Sequence, residues 1–243
     1  MSNKFVILVP YYNCKDFILE CVKSILSQKY TNYRVIFCDD LSDDGTSDLI
    51  PSNDKFKVRV SSSRLTALEN LHNCLVEEDI SDDDIVVILD GDDFLIDPNA
   101  LSILDSLYNV YKPLLTYGQY IYPNGQIGHC RSYTRDEFAN LRQLDWRASH
   151  LRTFKKVLYT ELLKQDPEAL CHKDKDGHFY KMTYDISMFH PMMEIAGYDK
   201  IFFNQIPLYY YRIHQNNDHN INSELQRSIE VEIRTKKKFN QIF

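Results

Sequence analysis

The sequence predicts an α/β fold, with a mostly parallel central sheet flanked by helices and a second half of α+β texture. Three observations carry that expectation. Residues 5–10, FVILVP, form an unbroken apolar run ended by proline, as in a strand buried on both faces. Strand and helix patterns then alternate as far as residue 110. Two acidic turns, residues 39–46 and 90–93, follow strands directly, at the strand ends where open parallel sheets bind ligands.

After the first strand, residues 16–28 place Phe17, Cys21, Ile25 and Leu26 on one helical face, and YRVIFC at 33–38 is the next strand. Strand, helix, strand in this order is a βαβ unit. A short strand at 57–60, a helix over 65–76 and a strand at 85–89 continue the alternation, and the last empties into Asp90-Gly91-Asp92-Asp93. Asp97 and Pro98 open a helix over 99–110, with the proline at its first position. Then the texture changes. A strand at 117–122, a turn at Pro123-Asn124-Gly125 and a polar, aromatic stretch lead to Trp146. A helix over 154–164, a loop with Asp174, Asp176 and Gly177, an apolar helix over 185–196, a strand at 207–213 and a charged helix from Ser223 complete the expectation. No repeat or low-complexity linker divides the chain. One domain is expected over 1–243: a nucleotide-binding half (1–110), an acceptor-side half (111–220) and a C-terminal helix (221–243).

The chain has 243 residues, 44% of them hydrophobic, which suffices for a sizeable core. Its 28 Lys and Arg against 35 Asp and Glu give a net charge of -7, which does not recruit nucleic acid or an anionic membrane. A phosphate-bearing substrate then needs a local cation or a few placed basic groups. The six cysteines show no C-x-x-C pair and no zinc spacing, as for core thiols in a reducing compartment. Residues 1–4 run straight into the first strand with no leader pattern, and no apolar run approaches the roughly 20 residues of a membrane helix. A cytoplasmic location without a transmembrane segment is expected, and a homo-oligomer stays open.

Adjacent carboxylates at a strand end repel unless a cation or donors neutralise them. For Asp90, Asp92 and Asp93 a hard divalent metal with oxygen ligands is one reading, and a solvated Asp-Gly turn is the other. In CDDLSDDGT, the spacing of Asp40, Ser42 and Asp44 imitates a calcium loop, but its twelfth position is Pro51. Asp40, leaving a strand end, instead suits hydrogen bonds from a base or ribose, while the turn itself can cap a helix. His214 follows an aromatic strand beside Arg212, Gln215 and Asn216, and a neutral imidazole can complete a carboxylate metal site. Asp185 reads as a helix N-cap or as the carboxylate base that activates a hydroxyl.

VPYYN (9–13), CDDLSDDGT (38–46), VVILDGDD (86–93) and YRIHQNN (211–217) occur in the order found in glycosyltransferase family 2, and together the chain resembles those GT-A fold, Rossmann-like, inverting enzymes. The resemblance implies that Pro10, Tyr11 and Asn13 line a nucleotide-sugar pocket, that Asp40 meets the base, and that Arg64 approaches the nucleotide. It makes DGDD the D-x-D element, with Asp90 and Asp92 shared between ribose and metal and Asp93 beside them. His214 becomes the late ligand of Mn²⁺ or Mg²⁺, or a contact to the diphosphate. Asp185 falls on the aspartate of the family's E-D pair, the catalytic base, but Tyr184 replaces the glutamate. The stretch 146–154 looks like an acceptor-side motif, in which Trp146 stacks on a sugar while His150 or Arg152 bonds acceptor hydroxyls or phosphate. It also reads as an ordinary run from loop into helix.

The implied reaction moves a hexose or N-acetylhexosamine from a nucleotide sugar, UDP-linked by preference, to an acceptor hydroxyl. Two other functions compete. A nucleotidyltransferase would share the fold, although no Gly-rich, basic phosphate loop follows the first strand. A non-catalytic nucleotide-sugar-binding module would bind the donor without turning it over.

Overall fold

The computed structural model describes residues 2–214 and 222–243. The opening apolar run becomes β1 (Phe5–Tyr11), buried along its whole length. Its alternating side chains feed two cores. Val6 and Leu8 face the layer of α2 (Ala67–Glu77), α5 (Val157–Gln165) and α6 (Tyr184–Ala196), whereas Phe5, Ile7 and Val9 face α1 (Ile18–Leu26) and α3 (Ala100–Tyr111). The result is a sheet between two helical layers.

Eight strands form that sheet. β3 (Phe56–Val60), β2 (Tyr33–Asp39), β1 and β4 (Ile85–Ile88) are parallel. β7 (Arg152–Lys155) joins antiparallel between β4 and β6 (Leu115–Ile121). β8 (Ile201–Tyr210) then runs parallel to β6, and β5 (Phe94–Leu95) pairs antiparallel at the edge. The sheet is therefore mostly parallel, as expected. Because β4 hydrogen-bonds to β7, it continues from one half of the sequence into the other.

Local chemistry sets several boundaries. Thr66 accepts the Glu69 amide at 3.0 Å and starts α2. Thr134 and Glu137 close a capping box on the one-turn α4 (Arg135–Phe138). Asn222 caps α7 (Ser223–Thr235) through the Leu225 amide at 3.0 Å.

The structure corrects the sequence reading in the second half. The helix expected over 154–164 is strand β7 followed by α5, because RTFK finds β4 and β6 as neighbours and pairing overrides its weak local signal. Residues 146–154 thus run into a strand, not a helix. β8 starts six residues earlier than expected, since the register shifts against β6, where Asn204 bonds the Ile206 backbone, interrupt the alternation. Asn99, not Pro98, stands at the start of α3. All six cysteines are buried and free. Among the described residues no helix is long and apolar enough to cross a membrane.

Candidate active site

Parallel strands deliver their carboxyl ends to one edge, and there both acidic turns bond the end of β1. Gly91 makes the contact close. Its amide donates to Pro10 O at 3.1 Å, and a Cβ on it would stand 2.7 Å from Tyr11 Cβ.

At the β1 and β2 ends, Asp40 Oδ1 accepts from the Leu65 amide at 2.7 Å and Asn70 Nδ2 at 2.9 Å. Its Oδ2 is 3.3 Å from Arg64 Nε, and the Arg64 guanidinium lies over the ring of Tyr12. Tyr12 is 44% exposed, whereas Tyr11 is buried with its hydroxyl 2.7 Å from Ser47 Oγ. Tyr11 is the last residue of the buried strand and Tyr12 lies just past it, so the exposed ring belongs to Tyr12. Asn13, in the left-handed region at φ 44°, bonds Asp43 through both ends of its amide and ties the first loop to the acidic turn.

The three carboxylates of the DGDD turn have separate partners. Asp93 is almost fully buried and accepts from the Tyr209 hydroxyl at 2.6 Å and the Arg212 amide at 2.7 Å. Burial, then Asp92 and Asp90, push its pKa well above the carboxylate range. Asp90 accepts from Tyr184 at 2.6 Å on Oδ1, and Tyr209 lies 3.2 Å from Oδ2. Burial raises Asp90 to about 6, against the opposing pull of Arg152. Asp92 Oδ2 is 2.7 Å from His214 Nε2, with His214 stacked on Phe17. Gln215 and Asn216 lie outside the described residues.

Arg152 connects this turn to Asp185. Its side chain is 2% exposed and sits between Asp90 Oδ2, 3.8 Å from Nη2, and Asp185 Oδ2, 3.2 Å from Nη1. Nη2 also donates to the Tyr184 hydroxyl at 2.8 Å. Burial works against this charge, but Tyr184, Asp185 and Asp90 outweigh it and hold Arg152 protonated. Asp185 lies in the first turn of α6 and not at its cap, which is Thr183. Trp146, expected to meet a sugar, packs edge-on against His190 at 5.1 Å and joins the core.

The structure thus brings together Asp90, Asp185, His150 and Arg152 in one cluster, Asp92 with His214 in a second, and Asp40 with Arg64 in a third. Tyr12 and Tyr209 were missed by the sequence reading. Only the aromatic run 209–211 signalled the latter.

Residues 6–177 match the profile described as Glycosyl transferase family 2. The chain is 34% identical over 96 residues to the Escherichia coli UDP-Glc:alpha-D-GlcNAc-diphosphoundecaprenol beta-1,3-glucosyltransferase WfaP, covering 36% of this chain and 35% of that enzyme. It therefore spans about a third of that relative's length. Among solved structures, Staphylococcus aureus TarS with UDP-GlcNAc superimposes at a TM-score of 0.61 and 16% identity, over 96% of this chain and 67% of TarS. The Pyrobaculum calidifontis mannosyltransferase PcManGT with GDP-Man and Mn²⁺ gives 0.61 at 18% identity, over 98% and 66%. These two likenesses establish a shared fold.

Proposed function

The chain belongs to glycosyl transferase family 2, and on that premise we propose that it transfers a sugar from a UDP-sugar to an acceptor hydroxyl by a single inverting displacement. One observation carries the reading. Arg152, buried and charged, spans the donor-side Asp90 and the carboxylate of Asp185, so the nucleotide edge and a candidate base flank one side chain. The UDP-Glc of WfaP and the UDP-GlcNAc of TarS support a uridine donor.

In this reading Asp40 and Arg64 meet the base at the β2 end, with Tyr12 beside them and Pro10 shaping the floor. Asp185 accepts the proton of the attacking hydroxyl as its oxygen approaches the anomeric carbon. Arg152 holds that carboxylate in place.

The residues present fit a divalent cation. Asp92 and His214 offer an oxygen and a nitrogen 2.7 Å apart, with side chains 27% and 18% exposed. Among the described residues no cluster of three such side chains forms, so substrate phosphates and water would complete the shell. When bound, Mn²⁺ or Mg²⁺ offsets charge developing on the leaving diphosphate. Asp93, expected beside them, is committed to Tyr209 and Arg212, and we assign it to anchoring the end of β8. The six free cysteines suit a cytoplasmic setting.

A thermal-shift screen of UDP-, GDP- and dTDP-sugars with and without Mn²⁺ tests the donor, with UDP-sugars expected to stabilise most. Asp92→Ala should lose both metal-dependent binding and turnover. Undiminished transfer by that variant, or full activity in excess EDTA, would remove the metal from the reading. Pyrophosphate release from a nucleoside triphosphate would favour a nucleotidyltransferase.

A further inference from the structure

His150 stands between the Asp90 turn and the end of β8. Its ring stacks on Tyr209 with centroids 4.2 Å apart, and Nδ1 is 3.9 Å from Asp90 Oδ2. Tyr120 lies edge-on at 5.8 Å, and Tyr211 lies at 5.5 Å. Tyr211 and Tyr122, both half-buried, continue this aromatic wall with their rings perpendicular at 5.8 Å.

The neighbour that decides the chemistry is Arg152, whose Nη2 is 3.3 Å from His150 Nδ1. A guanidinium has hydrogens to donate and no lone pair to accept. Nδ1 must therefore present its lone pair, and the hydrogen of the neutral ring sits on Nε2. Burial, with Arg152 and His129 adding to it, keeps a second proton off. No described group accepts the Nε2 hydrogen, which leaves it for a ligand that reaches this edge of the ring.

We propose that His150 is a substrate-reading residue: its Nε2–H, fixed in place by Arg152, donates to a hydroxyl or acyl oxygen of a pyranose ring lying against Tyr211 and Tyr122. The proposal rests on the glycosyltransferase reading. Aromatic faces take the C–H surface of such a ring, and one placed donor fixes its orientation. The same tautomer bars the imidazole from acting as base, because Nε2 already carries a hydrogen. Proton removal is left to Asp185.

Donor and acceptor sugars share this chemistry, and kinetics separate them. His150→Phe retains a ring against Tyr209 and removes both nitrogens. His150→Gln retains an acceptor for Arg152 and a donor for the cleft. UDP release from UDP-GlcNAc and UDP-glucose gives the donor KM and kcat. Calorimetry of p-nitrophenyl glycosides with the UDP-loaded, Mn²⁺-containing protein reads the acceptor side. For one sugar the Phe variant should weaken KM or affinity about 3- to 10-fold, as for one neutral hydrogen bond, with kcat little changed. The Gln variant should recover most of the loss. A higher donor KM assigns the pyranose to the donor, and weakened glycoside binding assigns it to the acceptor. An unchanged donor KM without weakened glycoside binding overturns the proposal, as does a fall in kcat that Gln does not rescue. Wild-type protein that releases UDP from no sugar nucleotide overturns the glycosyltransferase reading instead.

Discussion

The two sides of the candidate site, proposed as donor edge and acceptor side, are assembled by different means. At the ends of β1 and β2 most bonds link two adjacent loops: Asn13 to Asp43, the Cys14 amide to Thr46, and the Lys15 amide to Asp44. The charged pair there, Arg64 with Asp40, has its arginine 47% exposed. Around Asp90, by contrast, Arg152, Tyr184, Asp185 and Tyr209 come from β7, α6 and β8, and the arginine is 2% exposed. Screened, loop-borne groups tolerate loss, whereas a buried network fails as a unit. Donor-edge substitutions should therefore weaken affinity, and hub substitutions should remove chemistry or the fold itself.

The largest expected effect is catalytic. Asp185→Asn should lower transfer about 10²–10⁴-fold, the usual contribution of a positioned base, while calorimetric donor affinity stays near wild type. Asp40→Ala should do the reverse, raising donor KM with kcat nearly kept. Equal losses of both parameters in both variants would erase the distinction between the two sides.

Next in size is stability. Arg152→Met leaves Asp90 and Asp185 without their shared counter-charge and should cost about 3–5 kcal/mol in urea denaturation. Arg64→Met should cost less than about 1 kcal/mol, because the arginine is half exposed and Asp40 keeps its bonds from Leu65 and Asn70. Similar costs would show that the buried arginine is not what organises the hub.

Gly91→Ala probes the seam between the DGDD turn and the end of β1. Its Cβ would meet Tyr11 Cβ at 2.7 Å, a near-backbone atom that cannot swing aside. We expect a loss of about 1–3 kcal/mol, as for overpacking, with a raised donor KM as the DGDD turn shifts from Pro10. An unaltered donor KM would mean that the turn moves independently of β1.

How much the sequence disclosed follows the same division. The run 5–10, the βαβ alternation and the acidic turns were legible because β1, β2 and β4 are buried on both faces and carry their own signal. Asp90, Asp92 and Asp40 were singled out because position at a strand end is itself information, and the structure sets them at or just past the ends of β2 and β4. β7 was missed because four residues of mixed character become a strand only through β4 and β6. Trp146 looked available for a sugar because it is an aromatic side chain in a polar stretch, whereas in the structure it packs on His190. Tyr184 stood out as a departure, but that its hydroxyl joins Arg152 to Asp90 requires contacts 32 and 94 residues away.

The mildest effect concerns acid, and it too belongs to the second half. His172 is fully buried, its Nδ1 3.0 Å from Ser187 Oγ and its ring stacked on Tyr159. Burial, with His72 adding to it, lowers its pKa from 6.5 to about 3. Between those values the unfolded chain takes up a proton that the folded protein refuses. The stability contributed above pH 6.5 is therefore lost as pH falls. From pH 7.5 to 6.0 the loss from His172 alone should be about 1 kcal/mol. His150 and His190 are shifted the same way and add to it. Urea midpoints of wild type and His172→Asn at the two pH values give the measurement, and the wild type should lose more. Hydrogen exchange should place the acid-loosened amides in α5 and α6 before those of β1 and β2. If β1 and β2 loosen first, the buried network is not the weaker side under acid, and the contrast between a tolerant edge and an all-or-none hub does not extend to stability.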